Sequence, residues 1–171
     1  MTKYNLEEQV GHLMRRANQR HAAIFFEGLN DQQLTPMQFA VLVKIGDEEE
    51  VSQNRLGRLA AMDPATVQGV VRRLKERALI DARPDPDDGR RSLWRLSKAG
   101  KSLVIATIPI AEQITERTLD PLSKSERSTF IALGLRLGCS WCALAPARAR
   151  AAAGRAEAEG RLPAAAARHA R

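Results

Sequence analysis

The stretch from Leu56 to Leu96 constrains the fold more than any other. It opens with a short helical pattern, LGRLAAM, passes a cap-plus-proline signal at Asp63-Pro64, and enters a second helical run, ATVQGVVRRLKERALI. A turn dense in Pro, Asp, Gly and Arg, RPDPDDGRR, then feeds a short alternating segment, SLWRL. Two short helices joined by a tight connection and followed by a basic hairpin predict a winged helix-turn-helix. In that geometry one helix enters a major groove and the cationic loop tip reaches the adjacent phosphates or minor groove. The expected class is mainly α with a small β-hairpin wing, flanked by long N- and C-terminal helices.

The flanks are read from apolar spacing and punctuation. Residues 5–28 predict one long helix, with Asn5 as its cap, Glu7 and Glu8 in its first turn, and an apolar stripe of Leu6, Val10, Leu13, Ala17 and Ile24. A helix of that length at the start of a small protein needs a cover beyond its own core, and an intersubunit contact is one solution. Thr35-Pro36 starts the next helix, which is apolar nearly all round and is expected to end at Gly46. Asp47 to Glu50 is expected to be a solvated acidic loop, turned away from any polyanion. Ser52 is expected to cap the helix that follows. After the hairpin, Ser97 caps a helix over Lys98 to about Thr118 that Pro109 should bend. Ser123 with Glu126 forms a capping box for a last helix to about Leu137.

Four segments result: residues 1–34, a helix-turn-helix lobe over 35–97, helices over 98–138, and an Ala/Arg-rich tail, 139–171, expected to be disordered or partly helical. The tail matters to the charge argument. Lys and Arg outnumber Asp and Glu by 27 to 20, and a formal +7 points to a polyanionic partner. Residues 143–171 hold six Arg and two Glu, so +4 of that +7 sits in the tail. The placement of the arginines therefore carries more weight than their number. With aromatics at 4%, the core must be built mostly from Leu, Val, Ile and Ala. No signal peptide and no apolar run long enough to span a bilayer is present, so a cytoplasmic location is expected, without membrane partners.

The segments TPMQFAVLVKI, LGRLAAMDPATVQGVVRRLKERALI and RPDPDDGRRSLWRLSKAG together resemble the MarR family of bacterial winged-helix repressors. The family's most diagnostic segment is a turn of the form Asn/Asp-Pro-x-Asp-x-Arg, followed by hydrophobic-x-Leu-Thr/Ser-x-x-Gly. It is met by Asp85, Pro86, Asp88, Arg90, Trp94, Leu96, Ser97 and Gly100. The resemblance covers about residues 5–137 and leaves the tail without a counterpart. It implies a two-fold homodimer built from the first and last helices, binding to a palindromic double-stranded DNA operator and, commonly, release by a small molecule. The opening EQVGHLMRRANQRH is similar to the branch that controls breakdown of nicotinate or other hydroxylated aromatic acids.

Candidate DNA contacts follow from these positions. On the outward face of the second helix, Gln68 can pair with adenine and Arg72 with guanine, Thr66 offers a methyl or hydroxyl group, Gly69 admits a close approach, and Arg73 adds charge. Ser52, Gln53 and Asn54, at the start of the preceding helix, can meet phosphate, with Arg55 and Arg58 as alternatives. At the hairpin tip, Arg90 suits the narrow minor groove, Asp88 fixes its direction, and Arg91 meets phosphate. The effector site is implied by the resemblance. It would lie between the first helix and the DNA-binding lobe, with His12, Arg16 and Arg20 for a carboxylate and Met37 and Phe39 for a ring; His21 is a weaker candidate.

Catalysis and cofactors are not expected. His12, His21 and His169 lack a nucleophile-base-orienter arrangement, and no Gly-rich phosphate loop is present. Cys139-x-x-Cys142 has no second pair to complete a zinc site. Two functions remain open: a repressor released by a small aromatic carboxylate, or a winged-helix architectural or protein-interaction module without an effector.

Overall fold

The computed structural model describes residues 4–86 and 91–142. These form two compact units, divided between Thr118 and Leu119.

The first unit begins with a 3-10 turn, Leu6–Glu8, followed by α1 (Val10–Leu29), α2 (Pro36–Glu48), β1 (Val51–Ser52), α3 (Gln53–Leu59), α4 (Pro64–Glu76), β2 (Ile80–Pro84), β3 (Ser92–Leu96) and α5 (Lys98–Thr118). The mainly helical class with a small hairpin is as expected. The expected single N-terminal helix is instead interrupted. Gln9 is extended, with φ −80° and ψ 129°, and Asn5 makes no side-chain cap.

Local chemistry sets the helix starts. At Thr35 the side chain accepts from Gln38 N at 3.2 Å while Gln38 Oε1 accepts from Thr35 N at 2.9 Å, a reciprocal capping box with Pro36 at the first helical position. Two further sequence expectations need correction here. Helix α2 passes through Gly46 to Glu48, and the chain turns at Glu49, which has φ 62°. Ser52 precedes α3 without a side-chain cap, because Val51 and Ser52 are taken into a third strand.

That strand completes an antiparallel sheet of order β1-β3-β2, with Val51 opposite Trp94 and Ile80 opposite Leu96. Trp94, Leu96 and Ile80 face the main core with Val41, Leu42, Ile45, Leu56, Val67, Val70, Val71 and Leu74. Each such side chain removed from water contributes roughly 1.5–3 kcal/mol. Gly100 shows how tightly α5 is seated beside the sheet: a Cβ there would lie 2.0 Å from Leu79 O.

A second cluster joins α1 to α5 through Phe25, Leu29 and Ile114, with Phe39 packed against both clusters. Gly28 permits this approach, since a Cβ would meet Ile114 at 3.0 Å. The buried face of α1 is thus its C-terminal half. Leu6, Val10 and Leu13, expected in the covered stripe, are exposed at 47%, 67% and 48%. Among the described residues these side chains are left open to solvent.

The second unit holds α6 (Lys124–Cys142), which runs past the expected end at Leu137. Its start is the expected capping box: Glu126 Oε2 accepts from Ser123 N at 2.8 Å and from Ser123 Oγ at 2.6 Å. These bonds hold the Glu126 carboxyl below its ordinary pKa. Phe130, Ile131, Leu133, Leu135 and Leu137 are exposed along α6.

Candidate nucleic-acid interface

The second helix of the helix-turn-helix is α4. Asp63 caps it: Oδ1 accepts from Thr66 N at 2.9 Å, and Oδ2 accepts from the Thr66 hydroxyl at 2.5 Å. The Thr66 hydroxyl bond, followed by the Thr66 amide, holds the Asp63 carboxyl below its ordinary range. Val67, Val70, Val71 and Leu74 are buried on one side. That burial fixes the helix despite its β-branched run, which alone would disfavour it.

The opposite side is polar and open. Gln68, Arg72 and Arg73 are exposed, and Gly69 is half-buried. Arg72 Nε lies 3.8 Å from Glu76 Oε1, with both side chains more than half exposed, so that pair restrains the arginine weakly. Nothing but the Arg73 guanidinium, at 3.8 Å, lies near a Cβ placed on Gly69. Thr66 differs from the rest. Its hydroxyl donates to the cap, leaving only its acceptor lone pairs and methyl to face outward.

Ahead of α4, Ser52 and Gln53 are half-buried and Asn54 and Arg58 are exposed. Arg55 is engaged instead: its Nε and Nη2 donate to Glu48 Oε2 at 3.0 and 2.7 Å. Glu50 likewise accepts from Arg83 on the stem of the hairpin, which raises the Arg83 pKa. Lys44 pairs with Asp47 at 3.1 Å. The acidic run is therefore not a solvated loop. Two of its carboxylates tie α3 and the wing stem back to the end of α2.

The wing is β2 and β3, continued by Asp85 N donating to Arg91 O at 2.9 Å. Arg91 thus stands at the stem. Asp88 and Arg90, the candidate tip residues, lie outside the described residues. Lys75 on α4 sits 6.0 Å from the Trp94 ring, a cation over an aromatic face.

The candidate effector residues are spread along α1 and into the first turn of α2. Phe39 packs on Phe25 at a ring separation of 5.9 Å, and His21 adjoins Phe25 at 6.1 Å. His12 and Arg16 precede Phe25 on the same helix by thirteen and nine residues, roughly 20 and 14 Å along its axis. Arg15 Nη2 lies 3.1 Å from His12 Nδ1. Arg20 donates to Thr118 O at 3.2 Å and Arg117 O at 3.0 Å, covering the last carbonyls of α5. Met37 is 52% exposed. His21, whose Nδ1 lies 3.2 Å from Thr118 Oγ1, is the imidazole that adjoins the aromatic cluster. Its four-residue spacing from Phe25 was the available sequence signal.

Among the described residues no group of three or more His, Cys, Asp or Glu is placed to hold a metal ion, and no helix is long and apolar enough to cross a membrane. The Cys139 and Cys142 side chains lie outside the described residues.

A buried-faced helix presenting Gln and Arg outward, braced by a second helix and a three-stranded sheet that carries a hairpin wing, defines a winged-helix DNA-binding protein. Comparison narrows the class. The MarR family model matches residues 32–91. The chain is 43% identical to the HTH-type transcriptional repressor NicR of Pseudomonas putida, over 77% of this chain and 84% of that protein. A structure of BpsR from Bordetella bronchiseptica, concerned with regulation of its DNA binding by 6-hydroxynicotinic acid, matches with a TM-score of 0.76 at 42% identity. That match covers 79% of this chain and 96% of BpsR. The PcaV transcriptional regulator of Streptomyces coelicolor, in complex with its natural ligand, matches with a TM-score of 0.72 at 32% identity, over 81% and 97%. The chain belongs to the MarR family and is a sequence-specific DNA-binding transcriptional regulator.

Proposed function

We propose that the protein is a homodimeric repressor that holds a palindromic operator and is released by a small hydroxylated aromatic acid. The single observation that carries the ligand class is the 42% identity to BpsR across nearly the whole of that chain. Two subunits are supported by the exposed apolar side chains of α1, Val10, Leu13 and Met14, and separately by those of α6. In this reading Gln68, Arg72 and Thr66 meet base edges and Gly69 admits close approach. Arg73, Ser52, Gln53, Asn54 and Arg91 meet the backbone, and Arg90, steered by Asp88, enters the minor groove.

The ring of the acid rests against Phe39 and Met37, and its carboxylate is held by cations of α1. In this reading His12 and Arg16 supply those cations. Arg20, by contrast, orders the end of α5 beside the site. Release works by population shift: the acid favours a spacing of the two lobes that misfits successive major grooves.

Anisotropy titration of an operator selected from a random duplex pool, with and without 6-hydroxynicotinic acid, tests the reading. Weakened binding in the presence of the acid is the expected result. Operator binding indifferent to that acid and to related hydroxybenzoates would leave an architectural winged-helix protein without an effector.

A further inference from the structure

The Arg77 side chain joins the end of α4 to a part of the chain distant in sequence. Arg77 is the residue at which α4 ends, with φ −85° and ψ 5°. Its Nη1 donates to Gln33 O at 2.8 Å and its Nη2 donates to Gln32 O at 2.9 Å. Both acceptors lie in the turn between α1 and α2. That turn is shaped to present them: Gln33 has φ 50°, in the left-handed region, and its N–H donates to Asn30 O at 2.9 Å. Two successive carbonyls thereby face one planar guanidinium.

A fork of this kind fixes direction as well as distance, which a single ammonium does not. Both bonds are solvent-exposed, so they add little to the core that Val71 and Leu74 already secure. What the fork supplies is orientation. One end of it is the recognition helix; the other is the turn through which α1 continues into α2. Leu29 and Leu34, on either side of that turn, are buried in the two different hydrophobic clusters, so the turn is anchored to both.

We propose that Arg77 is a positioning residue for DNA recognition: it sets the pitch of α4 against the α1–α2 turn and passes a displacement of α1 to α4. The second half of that role rests on the repressor reading given above. No contact between Arg77 and DNA is required. The bidentate geometry carries the effect, so charge alone does not replace it.

The test uses the full chain with Arg77→Lys, which keeps the charge and loses the fork, and Arg77→Gln. Affinities are measured for an operator selected from a random duplex pool and for a scrambled duplex of equal length, with thermal unfolding recorded alongside. Arg77→Lys is expected to lower the operator-to-scrambled ratio by about tenfold, within the usual range of coupling between linked sites, with little change in thermal midpoint. In the same variant, the factor by which operator weakens binding of 6-hydroxynicotinic acid should fall toward one. An unchanged ratio overturns the proposal, whether or not the midpoint drops, because Arg77 would then be a structural brace only. Equal loss on both duplexes also overturns it, marking Arg77 as a phosphate contact. If the unsubstituted protein ignores the acid, the effector reading fails, while the operator-to-scrambled ratio still decides the role of Arg77.

Discussion

Replacing Gly100 with alanine is the sharpest available perturbation of the joint between the wing and α5. A methyl group there would lie 2.0 Å from Leu79 O and 3.1 Å from Leu79 C, both backbone atoms that cannot swing aside. A carbon and a carbonyl oxygen settle no closer than about 3.3 Å, so the first turn of α5 must retreat by roughly 1.3 Å. The bonds at this joint have no such slack. Leu79 O accepts from Ser97 N at 3.0 Å, and Ser97 Oγ donates to Ala78 O at 2.8 Å. Losing both costs about 1 kcal/mol each, and the residual overpacking adds about 1–3 kcal/mol, for a total of about 3–5 kcal/mol. Against a typical total of about 5–15 kcal/mol that is a severe loss. For a chain of this size it lowers the thermal midpoint by roughly 6–20 °C at a fixed protein concentration. Urea and thermal denaturation of Gly100→Ala both measure it. A midpoint within about 3 °C of the parent would refute the argument, since it would show that the joint yields without losing its hydrogen bonds.

Three substitutions separate recognition from folding. Gly69→Ala, where only the flexible end of Arg73 is near, should stabilise α4 by about 0.5–1 kcal/mol while weakening operator binding; unchanged affinity by anisotropy would remove Gly69 from the interface. Arg72→Ala should leave unfolding unaltered and relax discrimination at one base step by about 1–3 kcal/mol, read from a panel of single-base operator variants, whereas equal losses on every sequence would make it a phosphate contact. Arg90→Ala should weaken operator binding at fixed salt without changing the unfolding curve, and full retention of affinity would end its wing assignment.

What could be read from the sequence was what is local. The cap-plus-proline pairs at Thr35-Pro36 and Asp63-Pro64, and the Ser123–Glu126 box, carry their physics within four residues, and the helices begin where they indicate. The inward valines of α4 were legible because their spacing is helical. The features missed were non-local. A strand of two residues, Val51–Ser52, has no alternation to detect and exists only because Leu93 and Trp94 lie opposite. The acidic run gave no hint that Glu48 and Glu50 face Arg55 and Arg83, partners seven and thirty-three residues away. The Arg77 fork spans forty-four residues and leaves no mark on either segment alone.

The cap of α4 makes a prediction in pH that also separates two roles of Thr66. Asp63 accepts both the amide and the hydroxyl of Thr66, and these bonds favour its ionised form. Its folded pKa lies below its unfolded value, near about 3.9 for an Asp side chain. The cap therefore contributes its full stability above that unfolded value and loses it as pH falls through the folded pKa. Thr66→Val keeps the shape and the methyl group but removes the hydroxyl, the larger of the two causes. The Asp63 pKa should rise toward its ordinary value, the variant should be less stable at neutral pH, and its deficit should shrink in acid. Thr66→Ser should restore both the pKa and the stability. Carboxyl carbon chemical shifts followed by NMR, with urea unfolding at several pH values, measure the two quantities. A deficit that stays constant down to strongly acidic pH would show that the hydroxyl acts through packing rather than through the carboxylate. The same variants address recognition, because the hydroxyl is already donating to Asp63 and can only accept from a base. If Thr66 touches DNA solely through its methyl group, Thr66→Val should hold operator affinity where Thr66→Ser loses it. The reverse order would assign the base contact to the hydroxyl oxygen.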